Sequence, residues 1–251
     1  MNVLGIETAT ELVGVAVAAG RARSGAWATG RRRHAECLPP TILHVMDQAG
    51  IELAELDAIA VDIGPGLFTG LRVGVITAKG LAHGLGVGIV GVGSLTILAR
   101  AAFDVGHTGV VVPVVDARRG EVFAARYRRG TGPFGLDEIE APRVLPPELL
   151  AREVATVGTA DGPVLLVGDG AMAYASVFGT GGVSLAGASL AAPPPAMLVS
   201  LALEYLEGGG TAEPPERVSP DYLRVVDAKV NWQQRGPGGL RQRSGAAATS
   251  T

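Results

Sequence analysis

Two acids that close short apolar strands, one glycine-rich turn and a thin scatter of histidine and cysteine are the residues of this chain that could do chemistry. Glu7 ends the run Val3-Leu4-Gly5-Ile6, and Asp116 ends Val110-Val111-Val112-Pro113-Val114-Val115. Each acid is followed by a turn and a return strand: Thr8-Ala9-Thr10-Glu11 before Leu12–Ala18, and Ala117-Arg118-Arg119-Gly120 before Glu121–Tyr127. An acid in that place can cap the N–H groups of its own turn. The third feature is Gly64-Pro65-Gly66-Leu67-Phe68-Thr69-Gly70-Leu71-Arg72, which joins the apolar run Ala58–Val61, closed by Asp62, to a helix-compatible stretch, Val73–Ala82. A glycine-rich turn from strand to helix turns backbone N–H groups outward at a positive helix end, where an anion or an acidic partner surface can dock. It is neither a Walker A loop, lacking Gly-Lys-Ser/Thr, nor a dinucleotide fingerprint, since its third glycine falls one residue late.

Other chemistries find little support. The histidines are His34, His44, His83 and His107. His34 and His44 stand ten residues apart with a proline pair between them, so they form no ligand pair on one helix face. No Gly-x-Ser-x-Gly elbow is present, and Cys37 precedes the prolines with no activating group nearby, which reads as a small buried apolar residue. A metallopeptidase is the least supported function, and the expectation is no metal and no catalytic residue. With a single cysteine no intramolecular disulfide can form, and the lack of a basic leader or long apolar run points to the cytoplasm and away from a membrane. At 251 residues with 47% apolar side chains the chain can bury a substantial core, and a net charge of −3 gives no electrostatic case for binding nucleic acid alone. Arg31-Arg32-Arg33 is the local exception, and reads as a solvated turn.

The elements that must hold these residues follow from pattern. Val3–Ile6 and Leu12–Ala18 form a hairpin, with a third strand in Ser24–Thr29. Pro39-Pro40 open a helix over Thr41–Ala49 that Gly50 stops. After the glycine turn and its helix come a strand at Gly88–Val92 and a helix at Leu95–Ala102 capped by Ser94. The second half begins again with a strand, an acid, a turn and a strand, a weak repeat of architecture. A helix near 147–157, a strand at Val164–Val167, the turn Gly168-Asp169-Gly170 with a helix to Phe178, and a helix at 196–207 complete it. The division expected is a lobe at 1–104, a second at 105–228 and a disordered tail at 229–251. The fold class is α/β, each lobe a mixed sheet flanked by helices.

Acid-tipped hairpins opening two such lobes resemble the actin-like ATPase and sugar-kinase superfamily. Within it the chain resembles the TsaB (YeaZ) family. The matching stretches are Leu4–Thr10, His34–Pro39, Gly64–Arg72, Asp116–Val122, Gly168–Gly170 and Pro220-Asp221-Tyr222-Leu223-Arg224. The resemblance implies a non-catalytic subunit in tRNA threonylcarbamoyladenosine formation. It implies pairing with a TsaD transferase, joined by a TsaE ATPase, with tRNA reached only through the complex, and a homodimer when alone. TsaD-type sequences place two histidines four apart on a helix, and that element is missing here. Superfamily kinases set acids on magnesium and phosphates on the hairpin loops. By that analogy Glu7, Thr8, Asp116, Arg118, Gly168 and Gly170 could face a nucleotide, and a phosphotransferase acting between the lobes is the alternative function. No cofactor is required, although ATP or ADP could bind at a subunit boundary. The helices on either side of Ala58–Val61 carry more apolar residues than one buried stripe uses, Val45, Val73 and Ile76 included, which favours a helix-pair interface. The expected contact set is Leu38, Ile42, Leu43, Met46, Phe68, Leu71, Arg72 and Val75, and Leu71→Asp is expected to abolish pairing in a folded protein.

Overall fold

The computed structural model describes residues 1–29, 33–156, 162–179 and 183–223. The expected repeat is visible in its topology. Strands β1 (Asn2–Glu7), β2 (Leu12–Ala19), β3 (Ala22–Thr29), β4 (Ala58–Gly64) and β5 (Gly88–Gly93) form one sheet in the order β3-β2-β1-β4-β5. Strands β6 (Val110–Arg118), β7 (Glu121–Arg129), β8 (Leu136–Leu145), β9 (Val164–Val167) and β10 (Ser184–Leu185) form the other, in the order β8-β7-β6-β9-β10. In each sheet the first three strands are antiparallel and the last two join in parallel. The central strands are apolar on both faces because helices cover both faces.

Helices α1 (His34–Ala49) and α2 (Phe68–Leu85) cover one face of the first sheet, where Leu38, Ile42, Val45, Met46, Val75 and Ala78 meet Leu4, Ile6, Val15 and Val61. The other face is closed by α7 (Pro195–Glu207), which arrives from the far end of the chain with Leu198, Val199 and Ala202. Conversely α3 (Ser94–Asp104) leaves the first sheet and packs Leu95, Leu98 and Ala102 against Val111, Val115 and Phe123 of the second. The far face of that sheet is covered by α4 (Pro147–Thr156), α5 (Asp169–Ala173) and α6 (Ala175–Phe178). Between the exchanged helices Arg100 of α3 forks onto both carboxylate oxygens of Glu204 of α7, at 2.7 and 2.8 Å, and its Nε donates to Asp104 at 2.9 Å.

Several elements differ from the sequence expectations. Helix α1 starts at His34, so Pro39 and Pro40 lie inside it. Both are exposed, so the carbonyls they leave without an N–H donor face water, and the Thr41 hydroxyl donates to Cys37 O at 2.7 Å in the next turn. The buried positions His34, Leu38, Ile42, Val45 and Met46 continue straight past the prolines, and burial of that stripe outweighs the local signal. Ser94 is the first residue of α3 and Gly93 its cap; the serine hydroxyl goes elsewhere. The helix expected to reach Phe178 is broken at Tyr174 into α5 and α6. Strand β8 had no counterpart in the sequence reading: its charges and Pro142 suit an edge strand, which presents one side to water and tolerates a missing donor. Arg31, Arg32, Arg224 and the 229–251 segment lie outside the described residues.

Arg100→Met should lower the unfolding free energy by about 1–2 kcal/mol, the scale of a lost charge-assisted hydrogen-bond set that is partly open to water. Urea unfolding checks this, and an unchanged midpoint would show that the α3–α7 contact rests on apolar packing alone.

Candidate functional site

The glycine turn is a packing joint. A Cβ at Gly66 would overlap the Ala9 backbone, and one at Gly70 would overlap the carbonyl oxygen of Thr8, so only glycine lets α2 approach the first hairpin loop this closely. The approach is stitched by polar contacts. Leu67 N–H donates to Ala9 O at 2.7 Å, and the Thr8 hydroxyl donates to Gly70 O at 2.9 Å. His34 Nε2 lies 2.8 Å from Thr10 O. As a result Thr8, Ala9 and Thr10 are buried. The Ala9 N–H, which could have met a phosphate, donates instead to Glu7 Oε1 at 2.7 Å. The first hairpin loop therefore does not fit a phosphate group as it stands.

The same self-capping recurs. Asp62 Oδ1 accepts from Gly64 N–H at 2.7 Å, and Asp116 Oδ1 accepts from Arg118 N–H at 2.8 Å. At the second hairpin tip Arg118, Arg119 and Gly120 all have positive φ, at 62°, 58° and 77°, unusual for the two arginines. The Arg118 guanidinium reaches Asp116 Oδ2 at 2.9 Å and, across the cleft, Glu11 Oε1 of the first hairpin at 2.8 Å. A side chain thus bridges the tips of the two hairpins. Gly168 and Gly170, expected to face a nucleotide, instead lie against the Val114 backbone of β6, where a Cβ on Gly168 would overlap a carbonyl.

Sequence reasoning missed the partner of Glu7. Strand β1 runs parallel to β4 with Ile6 beside Val61, so the next residues, Glu7 and Asp62, come together at the strand ends, both fully buried. Ser94 donates its hydroxyl to Asp62 Oδ1 at 2.6 Å. Glu7 Oε2 and Asp62 Oδ2 are left with no hydrogen-bond partner. Burial, and then repulsion from Asp62, hold the Glu7 carboxyl well above its ordinary range; burial pushes Asp62 up to about 7 against the bonds from Ser94 and Gly64. In the second lobe Asp169 accepts the Asp116 N–H at 2.9 Å, and burial raises its pKa as well. The signal for Asp62 was its place as a third acid ending an apolar strand. Among the described residues no group of three or more His, Cys, Asp or Glu side chains is placed to hold a metal ion.

The expected contact residues divide in two. Leu38, Ile42, Met46, Leu71 and Val75 are core residues, so they cannot offer themselves to a partner. The rotation of α2 is fixed by the face that carries Gly70 and Gly74, and that rotation turns Leu71 inward. Leu71→Asp would therefore unfold the lobe, contrary to the expectation of a folded mutant. Leu43 is 61% exposed, Phe68 38% and Ile76 67%, and Arg72 is exposed with them. Gly80 and Gly84 continue the outer face of α2, with open space where a Cβ would lie. Tyr222 also reaches this face, unassigned by sequence although its motif was visible. No helix among the described residues is long and apolar enough to cross a membrane.

A family model described as "TsaD: tRNA N6-adenosine threonylcarbamoyltransferase" matches residues 28–232. The chain is 30% identical over 235 residues to the tRNA threonylcarbamoyladenosine biosynthesis protein TsaB of Escherichia coli, covering 93% of this chain and 98% of that one. It is 29% identical over 241 residues to the Bacillus subtilis protein of the same name, covering 92% and 98%. Among solved structures, YeaZ from Pseudomonas aeruginosa superposes with a TM-score of 0.75 at 32% identity, covering 88% of this chain and 99% of that one.

Two outcomes follow from the joint and the acid pair. Gly70→Ala should destabilise by about 1–3 kcal/mol through overpacking, whereas Gly80→Ala, in open space mid-helix, should stabilise by about 0.5–1 kcal/mol. Equal effects in urea unfolding would show that Gly70 is not a point of forced contact. Glu7 and Asp62 keep protons in the fold that an unfolded carboxylate releases near pH 4. Stability should therefore be greatest at acid pH and fall as pH rises from about 4 through about 7. The melting temperature should drop by on the order of 5 °C between pH 5 and 8, and Asp62→Asn should flatten that drop. A wild-type curve that is level or rising over this range would contradict the burial of the pair.

Proposed function

The chain belongs to the TsaB/YeaZ family, and on that premise we propose that it serves tRNA threonylcarbamoyladenosine formation as a subunit with no transfer chemistry of its own, pairing with a TsaD-type transferase through the outer faces of α1 and α2. The observation that carries this reading is the exposed set Leu43, Phe68 and Ile76 on adjacent helices, beside glycines that leave room for another helix to approach. A pair of apolar helix faces suits a helix-pair contact with a transferase, and in its absence with a second copy of the chain.

The cleft supports the same reading from the other side. A phosphotransferase needs open N–H groups in its first hairpin loop, and here that loop is buried and satisfied by Glu7. The Arg118 bridge to Glu11 occupies the way between the hairpins. Any nucleotide used by the assembly then belongs at a boundary between subunits. Contact with tRNA comes through the complex, consistent with a net charge of −3. The chain then works where tRNA is modified, in the cytoplasm.

Ile76→Asp and Leu43→Asp place a carboxylate on exposed positions and should leave the melting temperature within about 2 °C of wild type. Within the contact, an unpaired buried charge costs several kcal/mol, against about 8 kcal/mol for a whole micromolar association. Association with a TsaD-type transferase should therefore weaken by about 100-fold or more, and tRNA modification in the reconstituted system should fall with it. Unchanged association for both variants would remove α1 and α2 as the docking face.

A further inference from the structure

We propose that Arg72 makes this face select a partner that offers a carboxylate over a second copy of the chain, an inference that rests on the docking reading above. Arg72 is exposed, yet it is held in place. Its Cζ lies 3.8 Å from the centre of the Phe68 ring, and its Nε donates to the Tyr222 hydroxyl at 3.1 Å. The two rings stand 5.2 Å apart and tilted by 40°. Tyr222 is fixed in turn by the segment that brings it there. Glu213 bridges to Ile89 of β5, Lys79 of α2 donates to Val218 O at 2.9 Å, and Asp221 N–H donates to Ile63 O at 2.7 Å. An arginine on a surface helix ordinarily loses much rotamer freedom on binding. Here stacking and one hydrogen bond have already removed it, so less is lost when a ligand arrives.

The other end of the guanidinium is the one that recognises carboxylates. Among the described residues no hydrogen bond or ion pair engages its Nη1 or Nη2. The surrounding face is apolar, with Phe68 and Ile76 on the same helix, and an apolar surround strengthens a charge-assisted bond once water leaves. The occupant that fits is a partner helix with one aspartate or glutamate set among apolar side chains.

A second copy fits less well. Helix α2 contains no acid from Phe68 to Leu85. On α1, Glu36 is already bound to Arg33 at 2.8 Å, and Asp47 lies in the last turn. In a two-fold pairing each patch meets its own equivalent, so α2 against α2 sets Arg72 opposite a helix that offers no carboxylate. The same arginine thus favours one partner and penalises the other, which is how a face can distinguish a relative from itself. Asp221 is the acid adjacent to Tyr222, and whether a second copy uses it is settled by measuring self-association directly.

The test compares wild type, Arg72→Met and Arg72→Lys in two titrations, one with a TsaD-type transferase and one of self-association by sedimentation. Arg72 is exposed and its stacking and single hydrogen bond are surface contacts, so melting should fall by no more than about 2 °C in either variant. Arg72→Met should weaken transferase binding by about 30-fold, and Arg72→Lys by about 10-fold because the fork is lost while the charge remains. Self-association should stay within about threefold or become tighter. Equal weakening of both associations, or of neither, overturns the selection by Arg72. If Ile76→Asp abolishes transferase binding while Arg72→Met does not, the docking face stands and the selection alone fails. If the wild-type chain does not bind the transferase at all, both readings fall.

Discussion

The close seating of α2 on the first hairpin loop is the constraint on which the rest of this molecule depends. Gly66 and Gly70 allow backbone to meet backbone, and the Leu67–Ala9 and Thr8–Gly70 bonds fix the result. Three consequences follow from one contact. The loop that a phosphate would need is buried. Glu7 is sealed beside Asp62. The rotation of α2 is set, which decides that Leu71 and Val75 enter the core while Phe68, Arg72 and Ile76 stay outside. The glycine motif therefore works through sterics at this joint.

The strand-end acids show how such turns can be satisfied from within. Glu7, Asp62 and Asp116 each accept the N–H two residues ahead, and Arg118 ties the two hairpin tips together through Glu11. Burying two neighbouring carboxyls is expensive when both are ionised, and the fold lowers that cost by keeping protons on them. The energetic burden falls on the buried Glu7 and Asp62, while the outer surface of α1 and α2 keeps apolar groups in water. That asymmetry is the physical basis for placing this chain's proposed role at its surface.

Much of the fold was legible in the sequence because its strands are short, apolar and punctuated by acids and glycines. The two hairpins, β9 and the repeat of architecture between the halves follow from that punctuation. Pro39-Pro40 misled because local rules place proline at a helix start, whereas the buried stripe from His34 to Met46 runs through them. Strand β8 lacks alternation, as a charged edge strand can. The face of α2 that points inward was not legible from apolar count, since Leu71 and Ile76 are equally apolar. The usable clue was the four-residue spacing of Gly70 and Gly74, which marks the side of closest approach. The Glu7–Asp62 pair needed the parallel register of β1 and β4, a contact 55 residues apart in the chain that no local pattern encodes.

Hydrogen exchange of this chain, alone and saturated with a TsaD-type transferase, would test most directly whether the surface or the cleft is the working part. Slowed exchange concentrated in residues 34–49 and 68–85, with the hairpin tips at 8–11 and 116–121 unchanged, is the result expected of docking through α1 and α2. Slowing confined to the hairpin tips, with both helices unaffected, would contradict it and return the function to the cleft.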